Sequence, residues 1–289
     1  MNRINKSLTL IALYASVVAC SSSPTKETKT DSVSSTRVTE APVIQKDEPA
    51  PVAAAEPEPE KPKAPLAPSQ YAGLNEAIKS QSDERIYSTA TQILAQSSND
   101  AKALNALSMY HYKKGRFDLS RYLLNKAITA SPKTAELYSN LGIVQLAQNE
   151  RREAVKSFRK ALDIDNDDAV AAANLGAIYV QDRDFAKAGI VLETAYRKGV
   201  RDPRVLNNYA IALTANGKTE KAEDLYKSIL KDNSSNKEAM YNYAVLLVER
   251  MGKYQEGLDL INRLKFVGGP ADTRNKIIAL ETKAKAGLK

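Results

Sequence analysis

From residue 101 onward, apolar residues recur at three- and four-residue spacing in stretches of about a dozen. Polar turns such as Lys114-Gly115-Arg116 and Asn216-Gly217-Lys218 separate the stretches. That spacing lines apolar side chains along one helix face, so the pattern predicts helix, turn and helix again and again. The pairs keep phase. Asn140, Asn174, Asn208 and Asn242 stand 34 residues apart, each followed by Leu141, Leu175, Tyr209 or Tyr243 and then by a small residue. On this frame the units run 101–134, 135–168, 169–202 and 203–236, with a shifted unit from 237. A repeat of this length, in which no unit buries its own apolar face, marks stacked helix pairs. The predicted fold is all-α: a helical solenoid of about six helix pairs over residues 69–289. Its extended concave surface points to binding rather than catalysis.

The ends of the array deviate as stacks do. Residues Gln70 to Ser98 fit a degenerate unit with Ile86, Ala90 and Ile93 on its second helix. In the fifth unit Gly252, Gly257 and Leu264 fall one residue late, which implies an insertion near the turn at Met251. Ala271 to Leu288 carries Ile277, Leu280, Ala284 and Leu288 on one stripe with Lys and Glu elsewhere. That is the pattern of a C-terminal capping helix, one face sealing the stack and the other wet.

Within the units the pattern resembles the tetratricopeptide repeat (TPR). The second unit matches through Tyr138, Leu141, Gly142, Ala154, Phe158 and Ala161, and the third through Leu175, Gly176, Tyr179, Phe185, Ala188, Leu192 and Ala195. Small residues on both helices suit a close crossing, and aromatics fill the space beside it. The first unit keeps Leu107, Gly115, Phe117, Ala127 and Pro132 but has Ser108 and Ser120 at the small positions. The fourth keeps Tyr209, Ala210, Ala222 and Tyr226.

The first residues read differently. Arg3 and Lys6 precede an apolar stretch, Ser7 to Val18, that is short for a bilayer span. It ends at Val17-Val18-Ala19-Cys20, which resembles a bacterial lipobox. The resemblance implies a signal peptide over residues 1–19, cleavage before Cys20, and lipid attached to the sulfur and amino group of that residue, the only Cys of the chain. Burial of acyl chains is worth roughly 0.8 kcal/mol per methylene, so two or three chains anchor durably. Ser21 rather than Asp follows the cysteine, which by the same resemblance implies an outer-membrane anchor facing the periplasm. Residues 21–68 hold nine of the 12 prolines and few large apolar side chains. Such a segment buries too little to offset ordering, and a disordered, polyproline II-rich linker over 20–68 is expected. Its end-to-end distance would average roughly 40 Å if flexible.

Charge and chemistry narrow the function classes. The chain carries a net charge of +8, and its positive excess falls on the repeats rather than on the linker. Export argues against nucleic acid as partner, and the Lys and Arg are scattered along helices rather than blocked. The one histidine, His111, sits where the repeat pattern has Tyr179, and a packed, hydrogen-bonded imidazole is expected. The run Asp163 to Asp168 resembles the start of a calcium loop but lacks its glycine and its closing Glu, so it reads as a repeat boundary. No nucleophile motif, phosphate loop or zinc signature is present. No enzymatic activity, cofactor, metal or small-molecule substrate is expected.

In the TPR fold the sixth residue of each first helix faces the inner groove, so Asn140, Asn174, Asn208 and Asn242 form a candidate ladder. Lys102, Asn105, Tyr112, Arg204, Asn207 and Tyr241 occupy neighbouring groove positions. Amides offer donors and acceptors to the backbone of an extended peptide. They serve equally well as bonds to an adjacent helix, and both roles are open. The lipobox, the six repeats, the stretch Arg204-Val205-Leu206-Asn207-Asn208-Tyr209 and Gly268-Gly269 are similar to the pilotin lipoproteins of type IV pili. That resemblance implies a non-enzymatic, lipid-anchored scaffold for envelope proteins in assembly of a motility or secretion machine. Related lipoproteins serve in gliding-motility complexes or as adaptors for peptidoglycan hydrolases.

Overall fold

The computed structural model describes residues 71–289. The segments expected to be a signal peptide and a linker, and Cys20 between them, lie outside the described residues. Six helix pairs follow one another: α1 (Ala72–Lys79) with α2 (Asp83–Gln96), α3 (Ala101–Lys113) with α4 (Phe117–Ala130), and α5 (Ala135–Ala147) with α6 (Arg151–Ile164). Then come α7 (Ala169–Gln181) with α8 (Phe185–Arg197), α9 (Pro203–Ala215) with α10 (Thr219–Asp232), and α11 (Lys237–Val245) with α12 (Tyr254–Val267). The capping helix α13 (Arg274–Gly287) closes the stack, and no strand occurs among the described residues. The all-α solenoid of six pairs and a cap is the one the sequence predicts.

The first helices α3, α5, α7, α9 and α11 start at the same phase of the repeat, and all of these but α11 also stop at it. Asp100, Thr134, Asp168, Asp202 and Asn236 are the N-caps. All but Thr134 accept a backbone N–H: Asp100 from Ala103 at 2.8 Å, Asp168 from Val170 and Ala171 at 2.9 Å, Asp202 from Arg204 at 2.8 Å, and Asn236 from Ala239 at 2.9 Å. Each such cap is worth about 1 kcal/mol. The aspartates at 163–168 thus close α6 and cap α7, and among the described residues no cluster suited to a metal ion occurs. At the other end Gly115, Asn149, Arg183 and Gly217 turn left-handed, with φ of 73, 62, 59 and 75°. The next N–H then returns to the helix, as in Arg116 to His111 and Lys218 to Leu213, both at 2.9 Å.

Close crossing of paired helices explains the small positions. A Cβ on Gly142 would stand 2.6 Å from the Phe158 ring, and one on Gly176 2.4 Å from Leu192. The opposing Ala154, Ala188 and Ala222 are fully buried. In the first unit, the exceptional Ser108 and Ser120 satisfy each other at 3.0 Å inside the contact. The core runs as two clusters that meet at α5, which gives Leu141 and Val144 to one and Ile143 to the other.

The fifth unit accommodates its extra residue within the helix. α11 runs on as a π-helical turn, Leu246–Met251, before Gly252 turns left-handed at φ 65°. The return bond accordingly spans one residue more, Lys253 N–H to Leu247 at 2.9 Å. Wider winding keeps Val248 facing Gly257, so the pair still packs. In α13, Ile277, Leu280 and Ala284 are buried as expected, whereas Leu288 is 47 % exposed. The helix ends at Gly287, which packs on the Tyr254 ring, and Leu288 falls beyond the reach of α12.

Candidate groove site

Side-by-side first helices bring the sixth residue of one unit against the fifth of the unit before. Asn140 donates to Asn105 Oδ1 at 2.8 Å, and Asn242 donates to Asn207 Oδ1 at 3.0 Å. This pairing needs an acceptor at the fifth position. In the second unit that position is Ser139, whose hydroxyl donates to Asp168 at 2.6 Å, and Asn174 turns to its own helix, donating to Val170 O at 2.9 Å. In the third unit it is Ala173, which offers nothing. Asn208 is accordingly half-buried and makes no side-chain hydrogen bond among the described residues.

The four asparagines of the ladder therefore stand in different surroundings. Asn140 and Asn174 are each 1 % exposed, with their donors used inside the fold. Asn207, Asn208, Tyr241 and Asn242 are half-buried and adjoin one another on α9 and α11. Arg204, one turn before Asn208, is exposed and donates through Nε and Nη2 to Asp202 at 3.2 and 3.0 Å. Burial pushes the Tyr241 phenol up, and Glu249 adds to that.

At the other end of the row, Asn105 is buried and donates to Glu136 at 3.1 Å, completing a relay from Asn140 through Asn105 to the carboxylate. Glu136 was not among the residues singled out from sequence. Its only sequence signal is its place 31 residues after Asn105, one helix over. Crowding by surrounding protein pushes its carboxyl up although its surface is wet; the Asn105 bond opposes, Asp168 adds to the rise, and Lys102 opposes. Lys102 lies 4.8 Å from the centre of the Tyr71 ring, and Tyr112 packs its ring on Phe117 at 5.6 Å.

His111 lies apart from the groove cluster. Its ring is 6 % exposed, set edge-on to Tyr110 at 5.2 Å and to Tyr87 at 6.4 Å. The packing is the expected one, but the expected hydrogen bond at Nδ1 is not made: that atom is buried without a partner among the described residues. Burial, followed by the Arg116 charge, pushes its pKa down, so the neutral ring tolerates the site.

Comparison with known proteins agrees with this geometry. Two family models, both described as tetratricopeptide repeat, match residues 101–167 and residues 139–204 with 207–272, together more than half of the chain. A TPR repeat-containing protein of Dictyostelium discoideum is 26 % identical over 139 residues, 46 % of this chain and 53 % of that protein. An N-terminal acetyltransferase A complex subunit-like protein of Schizosaccharomyces pombe is 31 % identical over 86 residues, 30 % of this chain and 12 % of that one. The chain thus spans about half the length of the first relative and far less of the second. Among solved structures, YrrB, described as a TPR protein with an unusual peptide-binding site, overlays with a TM-score of 0.55 at 18 % identity, covering 68 % of this chain and 97 % of YrrB. MamA of Desulfovibrio magneticus RS-1 overlays at 0.50 and 16 % identity, covering 58 % and 94 %. Six stacked helix pairs, their small-residue crossings and both family matches agree: the chain belongs to the tetratricopeptide-repeat family.

Proposed function

We propose that this protein is a lipid-anchored, non-enzymatic adaptor of the bacterial envelope that binds an extended peptide segment of its partner across α9 and α11. The observation that carries this reading is Asn208, a half-buried amide with no bond of its own in a row whose other amides are bonded. Beside it, Asn207 keeps its donor and Asn242 its acceptor outside their mutual bond, and Tyr241 adds an aromatic face. Donors and acceptors in alternation suit a peptide backbone whatever its side chains. The shared fold of YrrB, described as having a peptide-binding site, supports the same class of ligand. Acylated Cys20 would hold the protein at the outer membrane facing the periplasm, with the Pro-rich segment as its tether. Assembly of a motility or secretion machine, as in the pilotin-like lipoproteins, is the role the sequence resemblance favours.

A photo-reactive residue at Asn208, cross-linked in cells, tests the reading. One or a few envelope proteins should be captured there and not from Tyr122 on α4, which is exposed. Identical captures from both positions would refute the groove. A secretin or pilus component among the captures supports the machine-assembly role, and a peptidoglycan hydrolase replaces it with the adaptor role. Cys20→Ser should abolish acyl labelling and release the protein from membranes; retention of both would overturn the anchor.

A further inference from the structure

His111 breaks a rule that its counterparts in the next two units keep. At the same position of the second unit, Gln145 accepts the Ser157 hydroxyl at 2.7 Å. In the third unit, Tyr179 accepts from Arg159 through Nε and Nη2 at 3.1 and 3.0 Å. On the 34-residue frame the corresponding helpers of His111 are Leu123, in place of Ser157, and Thr91, in place of Arg159. Leu123 has no polar side-chain atom, and the Thr91 hydroxyl donates within its own helix, to Tyr87 O at 2.8 Å. The buried Nδ1 of His111 is left without a partner for that reason.

The orphaned ring sits in the joint between α2 and α3. Tyr87 of α2 meets it edge-on, and the same Tyr87 packs on Tyr110 of α3 at 5.0 Å. One turn before Tyr87, Asp83 pairs with Lys113 at 2.9 Å and with Lys114 at 3.4 Å, and Lys114 lies 5.4 Å from the centre of the Tyr110 ring. Arg116, in the turn after α3, is the charge that bears on the imidazole among the described residues, and Leu123 of α4 brings none. A proton on Nδ1 would add a buried N–H without an acceptor and a second positive charge beside a guanidinium. In an opened joint, water serves the same proton without that cost. We propose that His111 is an acid-sensitive clasp, whose protonation in mild acid loosens α2 from α3 while the later helix pairs stay stacked. Opening bares Ile86, Ile93, Leu104 and Leu107, which share one apolar cluster, so acid supplies new apolar surface at this joint. The joint lies away from α9 and α11, so its fate is separate from that of the peptide groove.

The clasp is whole above about pH 6.5, the ordinary value of an exposed imidazole, and is lost as the pH falls below it, because burial holds the folded ring's value lower. Amide exchange of the protein as cells produce it, at about pH 7.5 and about pH 5 and corrected for the intrinsic rate at each, reads the joint. Protection in α2 and in the last turns of α3 should fall about tenfold, and by no more than about thirtyfold, the full weight of one imidazole. Protection in α9 and α10 should hold. Asp83 stays charged throughout, because the Lys113 bond keeps its carboxyl below the ordinary 3.8. Grafting the second unit's pair, His111→Gln with Leu123→Ser, should make protection equal at the two pH values. His111 is the only histidine of the chain, so its ring resonances need no assignment, and they should report a neutral ring until the joint opens. Wild-type exchange and ring titration decide the matter even where the double variant does not fold. Unchanged protection in the wild type, an equal acid response in the double variant, a loss spread evenly over α3 to α12, or a ring that titrates at its ordinary value with the joint closed would each overturn the proposal.

Discussion

Replacing Glu223 by Gln should loosen the C-terminal third of the solenoid in a pH-dependent way. Glu223 on α10 is 6 % exposed and accepts from Tyr243 of α11 at 2.9 Å and from Lys253, the N-cap of α12, at 3.0 Å through both oxygens. Lys227, one turn on, adds a contact at 2.8 Å. Burial alone would raise this carboxyl, but the bonds from Lys227, Lys253 and Tyr243 outweigh it and hold the pKa at about 2 instead of the ordinary 4.5. A depression of that size stabilises the folded state by about 3 kcal/mol at neutral pH. The two lysines are 58 and 36 % exposed, so solvent screening reduces the figure to about 2 kcal/mol. Glutamine keeps the shape and one acceptor but removes the charge.

The sign follows from the depressed pKa. The contribution is fully present above about 4.5 and is lost as the pH falls towards 2. Urea unfolding at pH 7 should place the variant about 2 kcal/mol below wild type, and at pH 2.5 only about a quarter of that gap should remain. Comparison at each pH cancels the other carboxylates. Because repeats couple mainly to their neighbours, amide exchange should quicken in α10 to α12 and stay unchanged in α3 and α4. A gap that persists undiminished at pH 2.5 would refute the electrostatic account and leave side-chain packing as the cause. No gap at pH 7 would refute the junction's contribution altogether.

Other perturbations separate scaffold from site. Gly176→Ala should lower stability by about 1–3 kcal/mol despite the better helix propensity of Ala, because the new Cβ meets fully buried Leu192 at 2.4 Å; thermal unfolding reads it. Arg183→Gly should raise stability by about 1 kcal/mol in the same assay, since φ at this position is 59°. Asn140→Ala should cost about 1–2 kcal/mol by leaving buried Asn105 without its donor, whereas Asn208→Ala should leave Tm unchanged and reduce cross-linking from the groove. Equal losses of Tm from both would assign Asn208 to the scaffold.

Much of the architecture was legible because a 34-residue period repeats caps, turns and crossings together. Gly142, Gly176 and the alanines opposite them are legible as contact points in the sequence alone, since only a close crossing demands residues that small on both helices. The extra residue of the fifth unit was equally legible, but not its form. An insertion at a turn is ordinarily a longer loop; here Val248 must still reach Gly257, and a π-helical turn lets the helix take the residue without losing that contact. The exposed end of Leu288 was missed for a related reason: a stripe in sequence continues past the point where the neighbouring helix stops.

The groove is where periodicity misleads, because identical residues at identical positions meet different neighbours. Asn140 and Asn242 find Asn105 and Asn207 one helix back, Asn174 finds Ser139 already bonded to a cap, and Asn208 finds Ala173. What decides the fate of each amide is thus the residue 35 positions earlier, not the asparagine itself. An Asn or an Ala at that earlier position changes the free energy of the later amide by about the worth of one hydrogen bond, 0.5–1.5 kcal/mol. Ala173→Asn supplies the missing acceptor and turns this into a measurement. With room for the larger side chain, it should draw Asn208 into the fold, raise its protection from solvent and weaken peptide capture at α9 and α11. If capture survives while the new bond forms, the free amide of Asn208 is not what the partner reads, and Tyr241 with Asn242 must carry recognition instead.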